Sequence, residues 1–179
     1  MPEPSHGKEN YVALEAETVI THSADDIIAA YTSKEFHEHL AGKVGSQLKS
    51  FDSSARPDGG YTIVSEQAIN AEKLPDIAQK VLKGTVTVTV TDTWSGPDAD
   101  GSRRSDTEVK IHGAPVKAVA SQTLHARGAA ETKATVRGDV DVKIPLIGGK
   151  IKKAAEPYMK KFVELQSKEV AKFIEQNKA

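Results

Sequence analysis

Residues 136–171 read VRGDVDVKIPLIGGKIKKAAEPYMKKFVELQSKEVA, and the spacing of apolar residues changes once along them. Up to Ile144 the period is two. Val136, Gly138, Val140, Val142 and Ile144 share one side, and Arg137, Asp139, Asp141 and Lys143 the other. That is a strand with one wet face. Beyond Pro145-Leu146-Ile147-Gly148-Gly149, the residues Ile151, Ala155, Tyr158, Phe162, Leu165 and Phe173 recur at helical spacing. A last strand therefore turns through a Gly-Gly corner into a long closing helix. Pro157 lies inside that helix and removes one backbone donor, so a bend is expected there.

Working back toward the N-terminus, strand patterns recur. Thr85 to Trp94 is the clearest, with Val86, Val88 and Val90 on one face and threonines on the other; threonine tolerates water, so the valines take the core. Ser102–Ile111, Pro115–Arg127 and Ala130–Ile144 follow, separated by Gly-rich turns. Val44–Ser54 and Tyr61–Asn70 form a hairpin around Ala55-Arg56-Pro57-Asp58-Gly59-Gly60. Between Asn70 and Thr85, the residues Leu74, Ile77, Ala78, Val81 and Leu82 make a single helical stripe, which predicts a helix over Ala71–Leu82 with Pro75 in its first turn. Tyr11–Ile20 reads as the first strand. Ser23 and Ser33 cap two short helices after it, the first carrying Ile27, Ile28 and Tyr31 and the second Phe36 and Leu40. The expected architecture is α+β. About seven antiparallel strands form a strongly curved sheet, with two short helices after the first strand and the long helix across the concave face.

The chain has 179 residues, 38% hydrophobic and 27% charged, which is enough for one domain with a real core. Residues 11–177 are read as that domain. Residues 1–10, MPEPSHGKEN, are read as a polar tail that lacks the apolar segment of a signal peptide, so a cytoplasmic location is expected. No run approaches the ~20 apolar residues of a membrane span. Cysteine is absent, which excludes disulfides and thiolate zinc sites, and a net charge of -1 gives no general attraction to nucleic acid.

Three stretches carry a resemblance. Lys73-Leu74-Pro75-Asp76, Asp92-Thr93-Trp94 and, above all, Val140 to Ile151 (VDVKIPLIGGKI) resemble an actinobacterial family of uncharacterised function. That family lies within the START and birch-pollen-allergen-like (SRPBCC) superfamily, whose fold is the helix-grip fold. The resemblance covers nearly all of Tyr11 to Gln176. It implies an apolar cavity between sheet and helix, used in the superfamily for lipids, sterols, polyketides or hormones; some members are cyclases or hydrolases. It brings no catalytic residues with it.

Three polar residues fall on inward faces by phase. Asp92 continues the series Val86, Val88, Val90; Gln122 sits among Ala118, Ala120 and Leu124; Glu169 lies five turns after Ile151 within the apolar stripe. A lone buried carboxylate is costly, so such groups either orient a ligand's polar head or lie at an element's end in water. His37 and His39, two apart on a helix, diverge too far to share a metal, and no H-E-x-x-H occurs. No nucleophile elbow, P-loop or dinucleotide fingerprint is present. No metal or other cofactor is expected. Arg103-Arg104 reads as an exposed strand end. The lysines of the closing helix read as a solvated face, with transient contact to a membrane surface as the other reading.

The expected function is a carrier of a hydrophobic, lipid-like small molecule. The residues placed around it are Leu74, Ile77, Val81, Val88, Val90, Asp92, Trp94, Gln122, Val140, Tyr158, Phe162 and Leu165. Two alternatives stand beside it: a cyclase or dehydratase using a cavity carboxylate, and a protein–protein module with a collapsed cavity. Catalysis is left open, and the oligomeric state is not readable.

Overall fold

In a computed structural model, which describes residues 14–177, seven strands form one antiparallel sheet and three α-helices lie on one of its faces. The expected tail, and the first three residues of the expected first strand, lie outside the described residues. The elements are β1 (Leu14–Ile20), α1 (Ala24–Tyr31), α2 (Lys34–Val44), β2 (Ser46–Ala55), β3 (Tyr61–Asn70), β4 (Thr85–Trp94), β5 (Arg103–Ile111), β6 (Val116–Ala126), β7 (Thr132–Val142) and α3 (Gly148–Asn177). The order across the sheet is β1-β7-β6-β5-β4-β3-β2. From β2 to β7 every neighbour is a sequential hairpin. Only the step from β1 to β2 spans the sheet, and α1 and α2 carry the chain along it.

The local signals explain these elements. The Ser23 hydroxyl accepts from the Asp26 amide at 3.1 Å and starts α1. Gly45 takes a left-handed conformation (φ 77°) and ends α2. Alternation puts Glu15, Glu17, Lys133 and Arg137 on the outer face, where Lys133–Glu17 and Arg137–Glu15 pair across β1 and β7. On the inner face Ile20, Ile63, Trp94 and Leu124 meet Ile27, Tyr31 and Phe36 of the short helices and Val170 and Ile174 of α3 in one core.

Two expectations change. The segment Ala71–Leu82 is not an α-helix but two 3-10 turns, Ala71–Lys73 and Ala78–Lys80. Pro75 forbids helical geometry at the residue before it, and Leu74 is extended (φ -95°, ψ 163°). The apolar stripe is still used: Ala71, Ala78, Leu82 and Val86 are buried together, with Leu74, Val81 and Val88 packed beside them. At the corner before α3, the left-handed residue is Leu146 (φ 73°), not a glycine. Gly148 has a different job: a side chain there would lie 2.8 Å from the Val142 carbonyl oxygen, so the strand end and the helix start touch through backbone.

Candidate functional site

The register fixes which side chains share the helix-side face. Ile63, Asp92, Thr107, Ala120 and Gly138 form one row across β3 to β7. Ser65, Val90, Val109, Ala118 and Val140 form the next, and Tyr61, Trp94, Ser105, Gln122 and Val136 lie on the other side. Helix α3 does not cover these rows evenly. It packs on β1 and β7, where Val163 meets Ala16 and Val136, and on α1 and α2. Val140, Val136 and Trp94 are buried, whereas Val88, Val90, Asp92, Thr107, Val109, Ala118 and Gln122 are only half-buried. The middle of the sheet therefore keeps an apolar floor that the protein's own elements only partly cover.

A polar row runs through that floor. The Thr107 hydroxyl donates to Asp92 Oδ1 in a short hydrogen bond, and Gln122 Nε2 donates to Thr107 Oγ1 at 3.0 Å. Because the threonine proton goes to the carboxylate, its lone pair faces the amide, which sets the direction of the chain. Burial pushes the Asp92 carboxyl up to about 6, partly opposed by the Thr107 hydrogen bond. Tyr31, at the end of α1, packs 5.8 Å from Trp94 ring to ring. Burial first, and then the charge of Asp92, raise its hydroxyl well above the ordinary phenol range. Ser105, between Trp94 and Gln122 in register, is buried with no partner for its Oγ.

The expected site residues fall into three places. Val88, Val90, Asp92, Trp94, Gln122 and Val140 are brought together on the sheet face. Leu74, Ile77 and Val81 belong to the 3-10 segment at one end of it. Leu165 packs on the main core, while Tyr158 and Phe162 are 40% and 38% exposed. The buried stripe of α3 is Ile151, Val163, Val170 and Ile174, rotated from the one read from sequence. The apolar face of α3 is wider than one stripe, and β1, β7 and the short helices cover only one flank of its N-terminal half. The Tyr158 hydroxyl donates to the Lys73 carbonyl at 3.5 Å, joining the uncovered flank to the 3-10 segment.

Thr107, Ser105 and Tyr31 were not singled out by sequence. The signal for the first two was the run Arg103-Arg104-Ser105-Asp106-Thr107, polar at every position before Val109. A strand polar on both faces puts polar groups on the core side, where they need partners. Tyr31 gave no such signal, since its ring does serve the core.

Arg103 is not an exposed strand end. It is buried, its Nη1 donates to the carbonyls of Gly59 and Ser95 at 3.3 Å each, and its Nη2 reaches Asp25 at 3.4 Å. It ties the β2–β3 and β4–β5 turns to the start of α1. Glu169 neither faces the floor nor lies in water. It is 3% exposed and meets His39 of α2 at 2.7 Å and Lys172 at 3.8 Å. The His39 hydrogen bond holds its carboxyl below the usual glutamate range. His37 contacts the Tyr31 carbonyl at 2.7 Å, so the two histidines serve separate packing contacts. Among the described residues no three metal-ligating side chains converge. An open depression of about 420 Å³ lies at the β1–β7 pair, around Glu15, Glu17 and Arg137, away from the polar row. No described helix is long and apolar enough to cross a membrane.

The same arrangement of sheet and closing helix occurs in solved structures. A START superfamily protein from Mycobacterium smegmatis aligns with 90% of this chain and 96% of its own at 15% identity and a TM-score of 0.53. The Zhui aromatase/cyclase from Streptomyces sp. R1128 aligns over 92% and 94% at 11% identity and a TM-score of 0.57. The lipid transfer and protein localization domain of human StarD13 (DLC2) aligns over 87% and 75% at 11% identity and a TM-score of 0.56. These likenesses establish the START-type helix-grip fold. No curated protein matches the chain. A family model does, over residues 15–174, and the chain accordingly belongs to the family described as "Protein of unknown function (DUF2505)".

Proposed function

We propose that this protein binds and carries a hydrophobic, lipid-like small molecule between α3 and the helix-side face of β3 to β7. The observation that carries the reading is the half-buried floor of Val88, Val90, Val109 and Ala118, interrupted by one hydrogen-bonded polar row. Valines placed on a core face but left accessible represent apolar surface that the protein's own side chains do not cover. A ligand burying about 200 Å² of apolar surface there gains roughly 5 kcal/mol at ~25 cal/mol per Å², before the cost of association. Asp92, Thr107 and Gln122 would fix its polar end, and Leu74, Ile77, Val81, Tyr158 and Phe162 would border the way in. Trp94, Val140 and Leu165 form the wall behind. The ability of the fold to host a lipid transfer domain supports the reading without assigning a ligand.

The test is native mass spectrometry of the purified protein, with organic extraction to identify what is released. A bound apolar compound, lost on unfolding, is the expected result; a protein that is ligand-free as isolated and takes up none of a panel of lipids would refute the proposal. A second reading, a cyclase or dehydratase, draws on Asp92. A carboxyl that titrates near neutrality in an apolar setting has the character of a general acid or base. Turnover of the extracted compound, abolished by Asp92→Asn with binding retained, would establish that reading.

A further inference from the structure

We infer that the ligand's polar end is a neutral hydroxyl, as in an alcohol or a phenol, and is neither a carboxylate nor an ammonium. This rests on the carrier reading above and deepens it. The polar row leaves several hydrogen-bonding groups unused. Asp92 accepts through Oδ1 only, and Gln122 donates through Nε2 only. Among the described residues, Asp92 Oδ2 and Gln122 Oε1 accept no hydrogen bond, and the hydroxyls of Ser105 and Tyr31 donate none. Two acceptors and three donor hydrogens, those of the Ser105 and Tyr31 hydroxyls and the second N–H of Gln122, are therefore left on this side of the apolar floor.

Each common head group meets that set differently. A carboxylate has no proton to give, so both acceptors stay empty and its charge faces that of Asp92 across an apolar site. An ammonium can donate to Asp92 and is drawn by its charge, but it has no lone pair for the Ser105 and Tyr31 hydroxyls, which stay unsatisfied, and the cation must leave water. A hydroxyl donates once and accepts twice, and it brings no charge to desolvate. It uses donors and acceptors together. A buried hydroxyl with no partner costs stability in the empty protein, and an incoming oxygen relieves it. Arg103 stands two residues before Ser105 on the inner face; its Nη atoms are held by Gly59, Ser95 and Asp25, so its charge is already paired, and only its buried Nε has no partner.

Trp94, the single tryptophan, lies on the same face two residues from Asp92 and reports binding by its fluorescence. The full-length protein would be titrated at pH 8 with decan-1-ol, decanoate and decylamine, which share one chain and differ in head group. Decan-1-ol should bind at least about tenfold tighter than either of the others, the equivalent of one satisfied hydrogen-bond set at ~1.4 kcal/mol. Asp92→Asn, which keeps the shape and removes the charge, should bring decanoate to within about threefold of the alcohol. Ser105→Ala should weaken decan-1-ol about threefold or more without lowering thermal stability, since it removes an orphaned group. If decanoate or decylamine binds as tightly as the alcohol, the head-group inference falls and the carrier reading stands. If none of the three changes Trp94 emission or stays on the protein in native mass spectrometry, the carrier reading falls and takes this inference with it.

Discussion

Replacing Asp92 by asparagine should stabilise the protein. In the fold its carboxyl is pushed from an ordinary 3.8 up to about 6 by burial. A shift of about two units corresponds to roughly 3 kcal/mol between the two protonation states, and partial exposure of the residue reduces this to about 2 kcal/mol. The sign follows from proton binding. Between the two values the folded state holds the proton more tightly than the unfolded chain, so this group's contribution is fully present below pH 4 and is lost as the pH rises through about 6. At pH 8 the wild type therefore bears the whole cost. Asparagine removes it and keeps a neutral hydrogen bond from Thr107, giving back about 1 kcal/mol of the charge-assisted one. The variant should be about 1 kcal/mol more stable at pH 8, or 2–4 °C higher in midpoint for a chain of this size. The two proteins should converge as the pH is lowered to 4.5. Urea unfolding followed by Trp94 fluorescence at pH 8, 6.5, 5.5 and 4.5 measures this directly. A variant less stable than wild type at pH 8, or a gap that ignores pH, would show that the carboxylate serves the fold and not a site.

Three further outcomes follow from the packing. Glu169→Gln breaks the contacts of a buried carboxylate with His39 and Lys172 and should cost about 1–3 kcal/mol in denaturant melts; the wild type should lose this contribution as the pH falls below the usual glutamate range, because the folded carboxyl is held low, and the variant should lack that component. Gly60→Ala places a methyl 2.0 Å from the Trp94 carbonyl oxygen and should cost about 3 kcal/mol by forcing the β3–β4 pair apart, read as a lowered midpoint with altered Trp94 emission. Val170→Ala, at a fully buried point of α3 against the short helices, should cost about 2 kcal/mol by thermal melt and leave ligand selectivity unchanged.

Most of the fold was legible because its signals are local. The Val/Thr alternation of β4, the Ser23 cap of α1 and the switch of period before α3 are each decided within about ten residues, and each appears where read. Where the reading failed, the deciding partner was distant or the pattern degenerate. An i, i+3, i+4 stripe at 71–82 suits an α-helix, but it suits two 3-10 turns pressed on the sheet end equally well; only the restriction that Pro75 puts on Leu74 separates them. In α3, two apolar flanks compete. Val163 and Val170 are buried because β1, β7 and the short helices lie on their side, and Tyr158 and Phe162 are left half in solvent because their flank meets only the 3-10 segment, through Tyr158 and Lys73. No count along the helix could choose between the flanks.

Asp92 and Glu169 show where sequence phase stops being informative. Both are carboxylates on apolar faces, and by spacing alone they are the same anomaly. In the structure Glu169 meets an imidazole from a helix 130 positions away, and its charge is held by that contact and two lysines; the group explains its own burial. Among the described residues Asp92 meets only a threonine hydroxyl, itself supported by an amide, and its charge has no cation opposite it. One carboxylate is compensated and the other is not. An uncompensated group is a standing cost, and the simplest physical reason for the fold to bear it is that something which enters the site completes the hydrogen-bonding set. That makes the paired variants the decisive comparison. Removing the charge at position 169 should weaken the fold and leave head-group selectivity alone. Removing it at position 92 should do the reverse, and equal effects of the two substitutions on stability would dissolve the distinction on which the site is drawn.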